Sequence, residues 1–80
     1  MPVILRQNGL RYFFYANEGS PLEPAHVHVR RGRDEAKFSL RPMVFLDYND
    51  GLSLRDLREA ADVIEQSRAE MERAWDEFFA

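Results

Sequence analysis

The last third of the chain contains neither glycine nor proline, whereas all eight such residues lie within the first 51 positions. From Ser53 to Phe79 apolar residues recur every three or four positions, so they lie on one helical face. That face is formed by Leu54, Leu57, Ala61, Ile64, Met71, Trp75 and Phe78. Ser53 is a good N-cap, and Asp56 follows it at the capping-box position. The segment is therefore predicted to be one long amphipathic α-helix over residues 53–79.

Before this helix the pattern is that of strands and turns. Asn8-Gly9 separates the apolar runs 2–6 and 10–16, and Asn-Gly is typical of a type I′ turn because both central residues need a positive φ. The register that follows pairs Arg6 with Arg11 and Val3 with Phe14.

A second hairpin is predicted between residues 26–31 and 36–41. Its apolar residues share a face only if the connection contains an even number of residues. The pairs expected from this register are His26 with Arg41, His28 with Ser39, and Arg30 with Lys37.

These elements predict a single α+β domain over residues 1–80. Two antiparallel hairpins form a four-stranded sheet within residues 1–48, with residues 44–48 as a candidate fifth strand. The sheet packs against the helix at 53–79. Residues 16–25 contain two prolines and one glycine and are predicted to form a loop that covers the histidines as a rim.

The only two histidines, His26 and His28, are two positions apart in a predicted strand. Alternate residues of a strand share a face. The chain is therefore expected to carry a contiguous polar and mostly basic face formed by His26, His28, Arg30, Lys37, Ser39 and Arg41. This placement favours an exposed surface for an anion or a partner over a buried metal site.

Two imidazoles on one face are compatible with three kinds of chemistry. A metal site needs a third ligand, for which Glu18, Glu23 and Asp47 are the candidates. An RNA-cleaving enzyme would use a histidine as acid or base, and its candidate catalytic residues are His26, His28, Arg30 and Lys37. A binding module would use the same face without catalysis, and its candidate binding residues are Arg6, Arg11, Glu23, Ser39 and Arg41. The interaction module is the leading interpretation, and no cofactor is expected.

The predicted helix is about 40 Å long, whereas a strand of five or six residues spans about 17–20 Å. The far end of the helix should therefore extend beyond the sheet. Its apolar residues form a predicted interface with a second copy or a different small protein: Met71, Trp75, Phe78 and Phe79.

Charge and hydropathy narrow the expected partners further. The formal charge is +3 over residues 1–43 and −6 over residues 44–80, which indicates two surfaces with different partners. No apolar run is long enough to cross a membrane, and no export signal is recognisable. The protein is expected to be cytoplasmic, with RNA or another anion as a candidate ligand.

Several segments together resemble a family of small bacterial proteins that is known only as a domain of unknown function. They are Met-Pro-x-Ile-Leu-Arg at the start, Glu-Pro-x-His-Val-His-Val at 23–29, Glu-Ala-Lys-Phe-x-Leu at 35–40 and Trp-x-Glu-Phe-Phe at 75–79. Members are often encoded beside a second short protein, so the resemblance implies a toxin–antitoxin-like pair. It implies no activity, cofactor or catalytic residue.

Overall fold

The computed structural model describes residues 3–18 and 23–80. Within these ranges one antiparallel sheet contains five strands in sequence order. The strands are β1 (Val3–Gln7), β2 (Leu10–Phe13), β3 (His26–Arg31), β4 (Asp34–Ser39) and β5 (Phe45–Asp50). A 3-10 helix (Ala16–Glu18) follows β2, and α1 (Leu54–Gln66) and α2 (Arg68–Phe78) end the chain. The predicted α+β class is correct, and the fifth strand is present.

The first hairpin has the predicted turn and a different register at its open end. Asn8 and Gly9 adopt φ values of 53° and 81°, as a type I′ turn requires, and Arg6 pairs with Arg11. Val3 pairs with Phe13 instead of Phe14, because a bulge between Val3 and Leu5 adds one residue to β1.

The second hairpin has the predicted parity, but its predicted pairs are wrong by two residues. A two-residue turn joins β3 to β4, with Gly32 at a φ of 58°, as in the first central position of a type II′ turn. His26 therefore pairs with Ser39, His28 with Lys37, and Arg30 with Glu35. The shorter turn brings Glu35 onto the face that carries the histidines.

The predicted single helix over residues 53–79 is approximately correct, since the segment is helical but is divided into α1 and α2. The helix is interrupted at Ser67, where φ is −103°, although the amide of Met71 still donates to the carbonyl of Ser67 at 2.9 Å. A straight helix over residues 53–79 would be about 40 Å long, and the longest dimension of the chain is 33 Å. The bend keeps α2 against the sheet.

Because α2 stays on the sheet, the predicted partner interface is largely internal. Met71 and Trp75 are 1% and 2% exposed and belong to the core, and Phe79 packs against them. Phe78 is 42% exposed. The expectation that an overhanging helix end leaves all four residues for a partner is therefore wrong for Met71 and Trp75.

The core lies between the helices and one face of the sheet. On this face the sheet, with the residues directly after β2 and β4, contributes these buried side chains: Leu10, Tyr12, Phe14, Val27, Val29, Ala36, Phe38 and Leu40. They meet Ala60, Val63, Ile64, Met71 and Trp75 from the helices. His26 and His28 alternate with Val27 and Val29 along β3, so their positions lie on the other face of the sheet.

Tyr12 is buried in this core, and its hydroxyl has no hydrogen-bond partner among the described residues. Burial, with a smaller contribution from Glu59 and Asp56, raises the pKa of Tyr12 to about 12. A pKa that is higher in the folded state gives a stability that is complete below about pH 10 and is lost as the pH rises toward 12.

Tyr12→Phe is expected to raise the free energy of unfolding by about 1 kcal/mol at pH 7, because it removes a buried hydroxyl without a partner. It should also reduce the loss of stability between pH 10 and pH 12. Urea unfolding at pH 7 measures the gain in stability, and urea unfolding at pH 10 and pH 12 measures the change in its pH dependence. Tyr48→Phe is the control at pH 7, because the Tyr48 hydroxyl is hydrogen-bonded to Glu35 and should not gain stability on removal. A destabilised Tyr12→Phe protein would contradict this interpretation.

Candidate functional site

Both histidines are buried, contrary to the predicted exposed face. His26 and His28 are 2% and 3% exposed. The ring of His28 stacks on Phe13 at a centroid distance of 5.6 Å and meets the edge of Tyr15 at 4.5 Å. The ring of His26 lies 4.8 Å from that of Trp75. Aromatic residues of β2 and α2 therefore cover a pair that strand alternation alone placed on an open surface.

The 3-10 helix brings Glu18 to the histidine pair. The amide of Tyr15 donates to Glu18 Oε1 at 3.1 Å, which fixes the carboxylate. The other oxygen, Oε2, lies 2.7 Å from the Nε2 atoms of both His26 and His28. Of the three acids considered as a third ligand, Glu18 is the one in contact with the histidines.

The pKa of Glu18 is lowered by its neighbours. Burial alone would raise the pKa, but the interactions with His28 and His26 outweigh the burial and bring it below its usual value. Glu18 is therefore an ionised carboxylate at neutral pH, and it can only accept hydrogen bonds or bind a cation.

A backbone carbonyl determines which nitrogen of His26 carries a proton. Nδ1 lies 2.8 Å from the carbonyl oxygen of Pro24, which can only accept, so Nδ1 donates. In a neutral ring Nε2 then carries a lone pair and no proton, so it can only accept a hydrogen bond. It lies 2.7 Å from Glu18 Oε2 but makes no hydrogen bond with any described residue. Two acceptors thus face each other.

The Nδ1 atom of His28 also faces an oxygen acceptor without a proton between them. Its Nε2 forms a hydrogen bond of 2.7 Å with Glu18 Oε2 and must carry the proton that is shared there. Its Nδ1 is buried, has no hydrogen-bond partner among the described residues and lies 3.3 Å from Glu35 Oε2. In a neutral ring this Nδ1 is also a lone pair facing an oxygen.

Each of the four ring nitrogens of the pair therefore faces an oxygen acceptor, but two neutral imidazoles carry only two N–H protons between them. Two extra protons would satisfy the site, and so would one divalent cation. A cation held by both Nε2 atoms and by Glu18 would leave His28 with its proton on Nδ1, where it would face Glu35 Oε2. In metal sites the second ring nitrogen of a histidine usually donates its N–H to a carbonyl or carboxylate oxygen. The Pro24 carbonyl lies at that position for His26, and Glu35 lies there for His28.

The three groups match the donor set of a transition-metal site. Their ligand atoms lie within 4.8 Å of one another. Zn²⁺ bonds to histidine and carboxylate are about 2.0–2.1 Å long, which holds tetrahedral ligand atoms roughly 3.3 Å apart. On binding, the distances from Glu18 Oε2 to the two Nε2 atoms would therefore grow by about 0.6 Å from their present 2.7 Å.

Glu35 is the site residue that the sequence-based prediction missed. It accepts hydrogen bonds from the hydroxyls of Tyr15 at 2.8 Å and Tyr48 at 3.3 Å. Burial and Glu35 raise the pKa of both tyrosines, that of Tyr48 to about 12, so both hydroxyls stay protonated at neutral pH. The predicted four-residue connection placed Glu35 in a turn, whereas a two-residue turn would have revealed it opposite Arg30.

The face around the histidines is not the predicted basic surface. Lys37 lies 3.6 Å from Glu23 and 3.4 Å from Asp47, and Arg30 lies 3.9 Å from Glu35. The predicted face lacked Glu35 because that residue was assigned to the turn. Glu23 and Asp47 reach Lys37 from outside the hairpin, from the segment before β3 and from β5.

The other predicted binding residues are dispersed. The Arg41 side chain reaches Glu72 and Asp76 of α2 at 2.6 and 2.7 Å, and Ser39 is buried and donates to the carbonyl of Arg41. Arg6 and Arg11 pair beside the first turn, away from Ser39 in the sheet. Ser39 and Arg41 line a cleft together with His26, whereas Arg6 and Arg11 do not line it.

A cleft of about 370 Å³ opens beside His26. Lys37, Ser39 and Asp47 line it together with apolar side chains that include Phe45. One of the three candidate ligands therefore borders a space large enough for a small molecule.

The fold and the site define a small α+β domain with a buried Glu18–His26–His28 cluster. A model of the family described as a domain of unknown function (DUF4160) matches residues 9–76, and the chain belongs to this family. The match includes all three cluster residues and Glu35, and it confirms the predicted resemblance at the level of a domain of unknown function. No curated protein and no solved structure matches the chain significantly. Within the described residues, none of the helices has the length and apolar character needed to cross a bilayer.

Proposed function

We propose that this protein binds one transition-metal ion, with Zn²⁺ as the best fit, through Glu18, His26 and His28. The observation that carries the proposal is the shortage of protons at the four acceptor-facing nitrogens. A divalent cation supplies the missing charge and leaves each remaining N–H with an oxygen partner.

The donor types favour zinc and similar ions over calcium and magnesium. Imidazole nitrogen suits Zn, Cu, Fe and Ni, whereas Mg²⁺ and Ca²⁺ prefer oxygen ligands only. Cysteine is absent from the sequence, so thiolate sites are excluded. Three protein ligands are also the number found in catalytic zinc sites, where a water molecule fills the fourth position. Metal-dependent hydrolysis, including RNA cleavage, is the enzymatic extension of this proposal, and the cleft beside His26 is its candidate substrate site.

Metal binding is tested on the purified wild-type protein after chelation and dialysis. We expect one equivalent of Zn²⁺ by titration calorimetry and by elemental analysis, together with a rise in the melting temperature that follows from binding to the folded state. Substitution with Co²⁺ should give a visible spectrum whose intensity reports the coordination number. The double variant His26→Gln/His28→Gln is the control and should bind no ion. A wild-type protein that binds no stoichiometric metal would refute the proposal and leave two protonated histidines as the explanation.

An interaction module, including one half of a toxin–antitoxin-like pair, is a second proposal. The basic face no longer supports it, because acids neutralise that face. Its support comes from a different surface, at the opposite edge of the sheet from β1, where β5 exposes apolar side chains.

A further inference from the structure

Arginine residues of three neighbouring strands lie side by side on the face of the sheet that is turned away from the helices. Arg6 of β1 pairs with Arg11 of β2, and Arg11 pairs in turn with Arg30 of β3. Leu10 and Tyr12, on either side of Arg11, belong to the core, so strand alternation places Arg11 and its partners on the opposite face. We call these three residues the arginine row.

The arginine row places like charges directly opposite each other at two successive positions. Such pairs destabilise a sheet when nothing compensates them. Because neighbouring strands are spaced about 4.8 Å apart, the Cα atoms of Arg6 and Arg30 are separated by about 10 Å. An anion between two of the guanidinium groups would replace their repulsion with attraction to a shared partner.

The carboxylates of the protein compensate the arginine row at one end only. All 14 Asp and Glu residues lie within the described ranges, and none of them forms an ion pair with Arg6 or Arg11. Glu35 Oε1 lies 3.9 Å from Arg30 Nε, but this nitrogen makes no hydrogen bond with any described residue. Beyond Glu35 the next paired residue is Asp50 of β5, so the acids lie on β4 and β5 and the uncompensated cations on β1 and β2.

The arginine row is open to a ligand. Arg6 is exposed, Arg11 is half-buried, and the side chain of Arg30 is 33% exposed. By contrast, Lys37 and Arg41 each contact two carboxylates. The arginine row is therefore a part of the surface where the cations outnumber the acids that contact them.

We propose that the arginine row binds two neighbouring phosphate groups of one ligand. One phosphate lies between Arg6 and Arg11, and the other lies between Arg11 and Arg30. The planar guanidinium group donates two parallel hydrogen bonds to phosphate oxygens, which makes arginine well suited to this recognition. The two phosphates belong either to a single strand of nucleic acid or to a small diphosphate compound. The proposal goes beyond metal binding and does not depend on it, since none of the three candidate metal ligands belongs to the arginine row.

The test uses two probes, pyrophosphate and a short single-stranded oligouridylate. The ¹⁵N-labelled protein is first freed of metal by chelation, so that no bound ion can hold a phosphate, and binding is followed by NMR and by calorimetry. We expect shifts of the amide signals of residues 6–11 and 28–35, with an affinity that falls as the ionic strength rises. Tighter binding of the oligouridylate would identify a nucleic acid strand as the ligand, and tighter binding of pyrophosphate would identify a small diphosphate compound. If neither probe binds, or if the shifts lie outside these residues, the proposal is wrong.

The variant Arg11→Gln should weaken the tighter probe at least tenfold, because Arg11 contacts both phosphates. Arg73→Gln is the matched control, since it removes the same charge from an exposed position of α2 that lies outside the arginine row. Circular dichroism establishes that both variants are folded. Unchanged binding to Arg11→Gln would overturn the proposal. Equal weakening in the two variants would also overturn it, because net charge rather than the arginine row would then account for binding.

Discussion

Glu18→Gln is expected to lower the affinity for Zn²⁺ by more than about a hundredfold. Loss of a residue that only contacts a metal ligand costs about 10–100-fold, and loss of a ligand itself should cost more. The substitution removes the only carboxylate that contacts both histidines, at 2.7 Å from each Nε2. The amide retains an oxygen that accepts from Tyr15, so the 3-10 helix should persist. Calorimetric titration with Zn²⁺ measures the affinity, and circular dichroism checks the fold.

The controls are the other two acids that the sequence left open as third ligands. Glu23→Gln and Asp47→Asn each remove a carboxylate next to Lys37 that does not touch a histidine. They should change the Zn²⁺ affinity by less than threefold or so, as expected for partly screened charges. A loss of affinity in Asp47→Asn with none in Glu18→Gln would show that the ligand set assigned here is incorrect.

Trp75→Ala is expected to remove about 3–5 kcal/mol from the free energy of unfolding. The indole is 2% exposed and lies 5.2 Å from the ring of Phe14, 4.2 Å from Phe79 and 4.8 Å from His26. Small domains have total stabilities of only about 5–15 kcal/mol. The melting temperature should therefore fall by roughly 15–30 °C, measured by circular dichroism.

Phe78→Ala serves as the comparison for Trp75→Ala, because Phe78 is on the same helix and is 42% exposed. Its effect should be about 1 kcal/mol or less. If Trp75 were a partner contact, as its position near the end of the helix first suggested, Trp75→Ala would leave the melting temperature of the isolated protein nearly unchanged. That result would contradict the packing described here.

Local sequence signals predicted the elements of the fold well. The Asn8-Gly9 turn, the Ser53 cap and the alternation of Val27 and Val29 with the histidines depend on neighbouring residues only. Alternation does not determine the length of the second turn, because two- and four-residue connections both satisfy it. The choice between them displaced the predicted pairs and removed Glu35 from the predicted site.

The candidate site was predicted only in part for a similar reason. The His-x-His pair is visible in a single strand, whereas Glu18 reaches it across ten residues of chain from another element. Burial was predicted incorrectly because Phe13, Tyr15 and Trp75 cover the histidines from β2, the segment after it and α2. None of these contacts follows from local periodicity.

The sequence by itself determined that this chain forms strands followed by helix and that both imidazoles lie on one side of β3, because these properties follow from turn chemistry and from side-chain period. Tertiary structure alone decided that the helix bends at Ser67, that Glu18 joins the histidines and that β5 retains an exposed apolar edge. These outcomes depend on how separate elements share a limited core. A small domain buries what the sheet and helices cover together, so distant residues decide which polar groups are enclosed and which apolar groups stay exposed.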